Sequence, residues 1–168
     1  VLDSTRAASI LKNLHSLHIR MRQHGANALF LAQHLEAKGY AVHYPGLQSH
    51  ATHDLLGSLM NIGYGWGGMM TLDAGTHVQA NTLMAAMQRE KVGYLAVSLG
   101  YFKTLFSSPG SSTSSEIPES ERAAAGVSPG LIRFSVGLDE DIMNTLHRIE
   151  RCLHEAGVVP RVPSAVGS

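Results

Sequence analysis

In the stretch GLIRFSVGL, residues 130–138, apolar and polar positions alternate with the period of a strand. Ile132, Phe134 and Val136 share one face; Leu131, Arg133 and Ser135 share the other. The second face therefore carries a permanent charge at its middle. A guanidinium offers two parallel donors, which is the geometry that matches a carboxylate. Two readings stay open at this level: a solvated outer face, or a carboxylate-binding wall of a site.

The other reactive residue types carry weaker signals. Among ten histidines, His15 with His18 and His50 with His53 are spaced i, i+3, so each pair shares one helix face. No third ligand is marked, and no metal is expected. The run GYGWGG lacks the Gly-Lys-Ser/Thr continuation of a phosphate loop and reads as a turn before a strand. The hydroxyls of SSTSS do not form a Gly-x-Ser-x-Gly nucleophile elbow. None of Lys12, Lys38, Lys91 and Lys103 lies in a Ser/Thr-x-Lys setting that marks an imine-forming amine. The one cysteine, Cys152, rules out a disulfide within the chain; among apolar residues at helical spacing it reads as packing, and a reducing, cytosolic setting fits.

The elements that must position these residues follow from pattern. The chain has 168 residues, 44% hydrophobic and 15% charged with zero formal net charge, which suits one globular domain with a real core. No basic excess points to nucleic acid, no apolar run is long enough for a membrane span, and the opening VLDSTRAASILKN has no apolar core of signal-peptide length. Residues 5–38 read as helix in two parts, capped by Asp3 or Ser4, with Ala28, Leu31 or Ala32, and Leu35 on one face and Gly39 as the stop. YAVHY and residues 69–72 read as strands, residues 76–90 and 139–156 as helices, and residues 93–100 as a buried strand running into a turn. The hydroxyl-rich residues 107–120 read as a linker or a loop inside the domain. These pieces predict an α+β fold: a small, largely antiparallel sheet with helices packed on one face.

Several motifs in register now become informative together. VSLG, SST, ERAAAGVSPG and LIRFSVGLD, preceded by LHIRMRQHGANALFLAQHLE, YPGLQSH and GGMMTLD, resemble the C-terminal segment of the cysteine/methionine-metabolism family of pyridoxal-phosphate enzymes. That family includes methionine γ-lyase, cystathionine γ- and β-lyases and cystathionine γ-synthase, and the loop SSTSSE is most like plant-type methionine γ-lyases. The resemblance covers about residues 2–155. It implies the C-terminal domain of a fold-type I pyridoxal-phosphate enzyme over residues 1–158, with residues 5–38 as its leading helices and residues 159–168 as a flexible tail. The cofactor-binding large domain, with its Schiff-base lysine, is expected to lie outside this chain.

The resemblance also implies roles. Arg133 occupies the position that holds the substrate α-carboxylate in the family. Ser98 matches a serine near that carboxylate, and Thr113 matches a threonine bordering the pocket. All three are expected substrate-binding residues, with no catalytic, cofactor-binding or metal-binding residue in this chain. Val97 stands where some cystathionine-handling members carry an acid, which favours a substrate without a charged distal end. The parent is thus expected to be a cytoplasmic, homotetrameric lyase of amino-acid metabolism (trans-sulfuration type) that splits methionine. Pyridoxal phosphate is expected in the full-length parent only, with the chain inactive alone. Cystathionine γ- or β-lyase is the alternative, and a non-catalytic binding or assembly domain is the alternative of another class.

Overall fold

Asp3 starts the first helix by accepting the Arg6 backbone N–H on Oδ1 at 2.9 Å. The structure, a computed structural model, describes residues 2–61, 63–111 and 116–161. α1 (Ser4–Leu14) is amphipathic yet buries no residue; Ile10, Leu11 and Leu14 stay exposed. After a break at His15 and Ser16, α2 (Leu17–Ala37) puts Ala28, Leu31, Ala32 and Leu35 fully inside. Gly39 ends this segment at φ +84°, a region that a side chain disfavours. Thr76 and Gln79 form a capping box that opens α4 (His77–Arg89), and Asp141 caps α6 (Ile142–Glu155) through the Asn144 N–H. α3 (His53–Leu59) and α5 (Glu119–Ala124) are short.

Five strands form one sheet: β1 (Val42–His43), β2 (Met69–Asp73), β3 (Gly93–Leu95), β4 (Thr104–Ser107) and β5 (Leu131–Ser135), in the order β1-β2-β5-β4-β3. Every pairing is antiparallel except β3 with β4. The architecture is therefore the α+β fold that the pattern predicts, and β5, the Arg133 strand, is central. Met70, Leu72, Phe106, Ile132 and Phe134 project from one sheet face into a core shared with α2, α4 and α6. Cys152 belongs to that core; burial pushes its thiol up to about 11, as suits a packing residue.

Two expectations need correction. The strand expected to open residues 93–100 is short and not buried: β3 ends at Leu95, and both Tyr94 and Leu95 are more than half exposed. The reason is topological. β3 and β4 run parallel, so the chain must leave the sheet and return over residues 96–103 before β4 can begin. The run 107–120 is not one loop either, because Ser107 is the last residue of β4 and Pro109–Ser111 form a 3₁₀ turn. At the other end, Arg161 is anchored: its N–H donates to Gly39 O and its Nη2 to Asp73 Oδ2 at 2.6 Å. Residues 162–168 lie outside the described residues.

Candidate functional site

The second face of the sheet carries Thr71, Leu105, Ser107, Leu131, Arg133 and Ser135. Arg133 stands opposite Thr71 on β2 and opposite Ser107 on β4. Strand alternation alone puts it there, because its neighbours Ile132 and Phe134 are claimed by the core. Arg133 is half-buried, and its Nε is buried without a hydrogen-bond partner. No described residue forms an ion pair or hydrogen bond with it.

The nearest acid in register, Asp73, is diagonal to Arg133 and already engaged. Its Oδ1 accepts the Gly75 N–H at 2.8 Å and its Oδ2 pairs with Arg161. Burial pushes the Asp73 carboxyl up, but the Gly75 N–H and the Arg161 guanidinium outweigh that and hold it below its ordinary value. Asp73 is thus a paired carboxylate that leaves Arg133 free for another anion.

α2 fixes the strand that carries Arg133. Asn27, 3% exposed, donates through Nδ2 to Gly137 O at 2.9 Å and to Asp139 O at 3.0 Å. His24 Nδ1 lies 2.6 Å from Val136 O. These contacts clamp the exit of β5 to a helix more than a hundred residues earlier.

Ser98 is exposed on the 96–103 segment, beyond β3. That segment is tied to the Arg133 strand where the Gly100 N–H donates to Ser135 Oγ at 3.1 Å. Thr113 lies outside the described residues. Ser107, directly across from Arg133, carries no mark in the sequence: TLFS does not alternate in polarity, and the hydroxyl run that follows hides the end of the strand. A pocket of about 270 Å³ opens beside Ser135, walled by Met21, Met69, Leu99 and Gly100. A larger cavity of about 520 Å³, lined by His77, Arg122 and Ser128, includes neither Arg133 nor Ser98.

Among the described residues no group of three His, Cys, Asp or Glu side chains is arranged to hold a metal. His50 and His53 instead serve locally, His53 stacking on Trp66 at 4.2 Å. All four lysines are exposed. An imine-forming lysine sits in a desolvated pocket, which none of these exposed side chains has, and no step through a carbonyl cofactor is assigned to this chain.

Comparison with known proteins gives this geometry its context. The chain is 45% identical over 137 residues to the methionine gamma-lyase of Arabidopsis thaliana, covering 81% of the chain and 31% of that protein. It is 36% identical over 146 residues to the cystathionine beta-lyase of Coxiella burnetii, covering 86% of the chain and 36% of that protein. The crystal structure of cystathionine gamma synthase from Xanthomonas oryzae pv. oryzae, in complex with aminoacrylate and cysteine, superposes with a TM-score of 0.76 at 30% identity, over 88% of this chain and 37% of that one. The chain thus spans about a third of the length of these relatives. The family model for Cys/Met metabolism PLP-dependent enzymes matches residues 1–154, and the chain belongs to that family.

Proposed function

We propose that this chain is the substrate-orienting C-terminal part, residues 1–158, of a pyridoxal-phosphate-dependent sulfur amino acid lyase of the methionine γ-lyase type. The observation that carries the reading is a half-buried Arg133 with no counter-ion among the described residues. A partly desolvated charge is costly unless paired, and a substrate α-carboxylate supplies the missing partner. Each charge-assisted bond contributes about 1.5–3 kcal/mol. Ser98 contributes a hydroxyl from the segment tied to Ser135, and Thr113 is assigned to the same pocket by family resemblance.

In the full-length parent the reaction is methionine plus water to methanethiol, ammonia and 2-oxobutanoate. Pyridoxal phosphate, held by the part of the protein outside this chain, supplies the electron sink for such eliminations. This chain's share is to hold the carboxylate so that the reacting carbons face the chemistry. The apolar walls of the pocket beside Ser135, together with Val97, suit a thioether side chain better than a second charged end. Tyr94, Leu95, Val97, Leu99, Tyr101 and Phe102 are all exposed, apolar surface that the rest of the parent would cover.

A cystathionine lyase is the second reading, favoured by the Coxiella relative. Assaying the full-length protein separates the two. Methanethiol and 2-oxobutanoate from methionine, faster than cysteine or homocysteine from cystathionine, support the first reading; the reverse order supports the second. The family resemblance also suggests a homo-oligomeric, cytoplasmic parent; no helix among the described residues is long and apolar enough to cross a membrane.

A further inference from the structure

Two buried polar atoms on the Arg133 face are orphans, and they stand opposite each other. Ser107 is 4% exposed, and its Oγ has no hydrogen-bond partner; nor has Arg133 Nε. The β4–β5 pairing sets Ser107 and Arg133 in direct register, so their side chains share one face at cross-strand contact distance. Buried polar groups left unpaired are rare, because each costs the desolvation it never recovers. Arg Nε–H is a donor only, whereas a serine hydroxyl can accept. The two orphans are therefore chemically complementary. The neighbouring hydroxyl of Ser135 is already taken by the Gly100 N–H.

We propose that Ser107 is a positioning residue for Arg133: its Oγ accepts the Arg133 Nε–H and fixes the guanidinium plane when the carboxylate binds. This rests on the reading of Arg133 as the carboxylate anchor. With Nε–H held by Ser107, the two Nη groups remain as a parallel fork for both carboxylate oxygens. The serine touches the arginine and not the substrate, so its effect should appear in substrate affinity and should vanish when the Nε–H is absent.

A double-mutant cycle in the full-length holoenzyme tests this, using Ser107→Ala, Arg133→Lys and the double variant with methionine or cystathionine, whichever turns over faster. Lysine keeps the charge but has no Nε–H. Ser107→Ala alone is expected to raise KM about five- to twentyfold with kcat within about twofold, as for one lost bond to a charged group. In the Arg133→Lys background the same change should alter kcat/KM by less than about twofold. Independent, multiplicative losses would overturn the proposal, as would an unchanged KM in Ser107→Ala. Should the alanine variant not fold, Ser107→Cys keeps the volume with a poor acceptor, and an unchanged KM there is equally fatal. Arg133→Lys without any loss would sink the carboxylate reading itself. Loss in Arg133→Lys with an unaffected Ser107→Ala would sink only the role of Ser107.

Discussion

Replacing Asn27 with alanine should loosen the strand that carries Arg133. Asn27 spends both N–H bonds of its side-chain amide on the carbonyls of Gly137 and Asp139, and its Oδ1 accepts from Gln23 Nε2 at 2.8 Å. Truncation leaves a buried Gly137 carbonyl without this donor and opens a small void. An unsatisfied buried polar group costs about 1–3 kcal/mol, and Asp139 O is only partly buried, so the total should be about 2–4 kcal/mol. For a chain of this size that corresponds to a fall in Tm of roughly 5–12 °C. Asn27→Asp sharpens the test because it changes charge at nearly constant shape. At pH 7 an aspartate would set a carboxylate against two carbonyls and should be worse than alanine. At pH below about 4 a protonated carboxyl can donate once and should recover part of the loss. Thermal unfolding followed by circular dichroism at both pH values reads this out. An alanine cost below about 0.5 kcal/mol, or an aspartate no worse than alanine at pH 7, would refute the clamp.

Other outcomes follow from the same geometry. Cys152 is 1% exposed with its thiol pushed up to about 11, so a thiol reagent at pH 8 should leave it unlabelled until the protein is denatured; rapid native labelling would contradict the packing role. Asp73 is held below its unfolded value, so its contribution to stability is complete above about pH 4 and lost as the pH falls further. Asp73→Asn should accordingly flatten the acid limb of a stability–pH profile, and an unchanged limb would count against it. Arg161→Ala should do the same more weakly and less at high salt, since the Arg161 side chain is 59% exposed.

Much of this architecture is legible because local periodicity and long-range packing agree. Ile142, Leu146, Ile149 and Leu153 form a helical stripe, and the structure uses them as the inner side of α6. Ile132, Arg133, Phe134 and Ser135 alternate apolar and polar, so the face that carries Arg133 is legible from the strand alone. The misreading of 93–100 arose because eight apolar-rich residues say nothing about parallel pairing; that depends on where β4 lies. α1 has the amphipathic pattern of a packed helix, yet nothing among the described residues covers it. The site was legible in part. Arg133 stood out as a charge in an alternating strand, but the counter-ion status of that charge is a property of neighbours: Asp73 is silenced by Arg161, a residue 88 positions away. Ser107 and Asn27 have the same character, being ordinary polar residues until the fold sets them beside β5.

Arg133 is the proposed carboxylate anchor, and steady-state kinetics of the full-length enzyme with Arg133→Ala test that role most directly. Losing one or two charge-assisted bonds predicts a fall in kcat/KM of about tenfold to several hundredfold, with the protein still folded and still loaded with cofactor. Kinetics within about twofold of the unsubstituted enzyme would contradict the account and leave Arg133 a solvated strand residue.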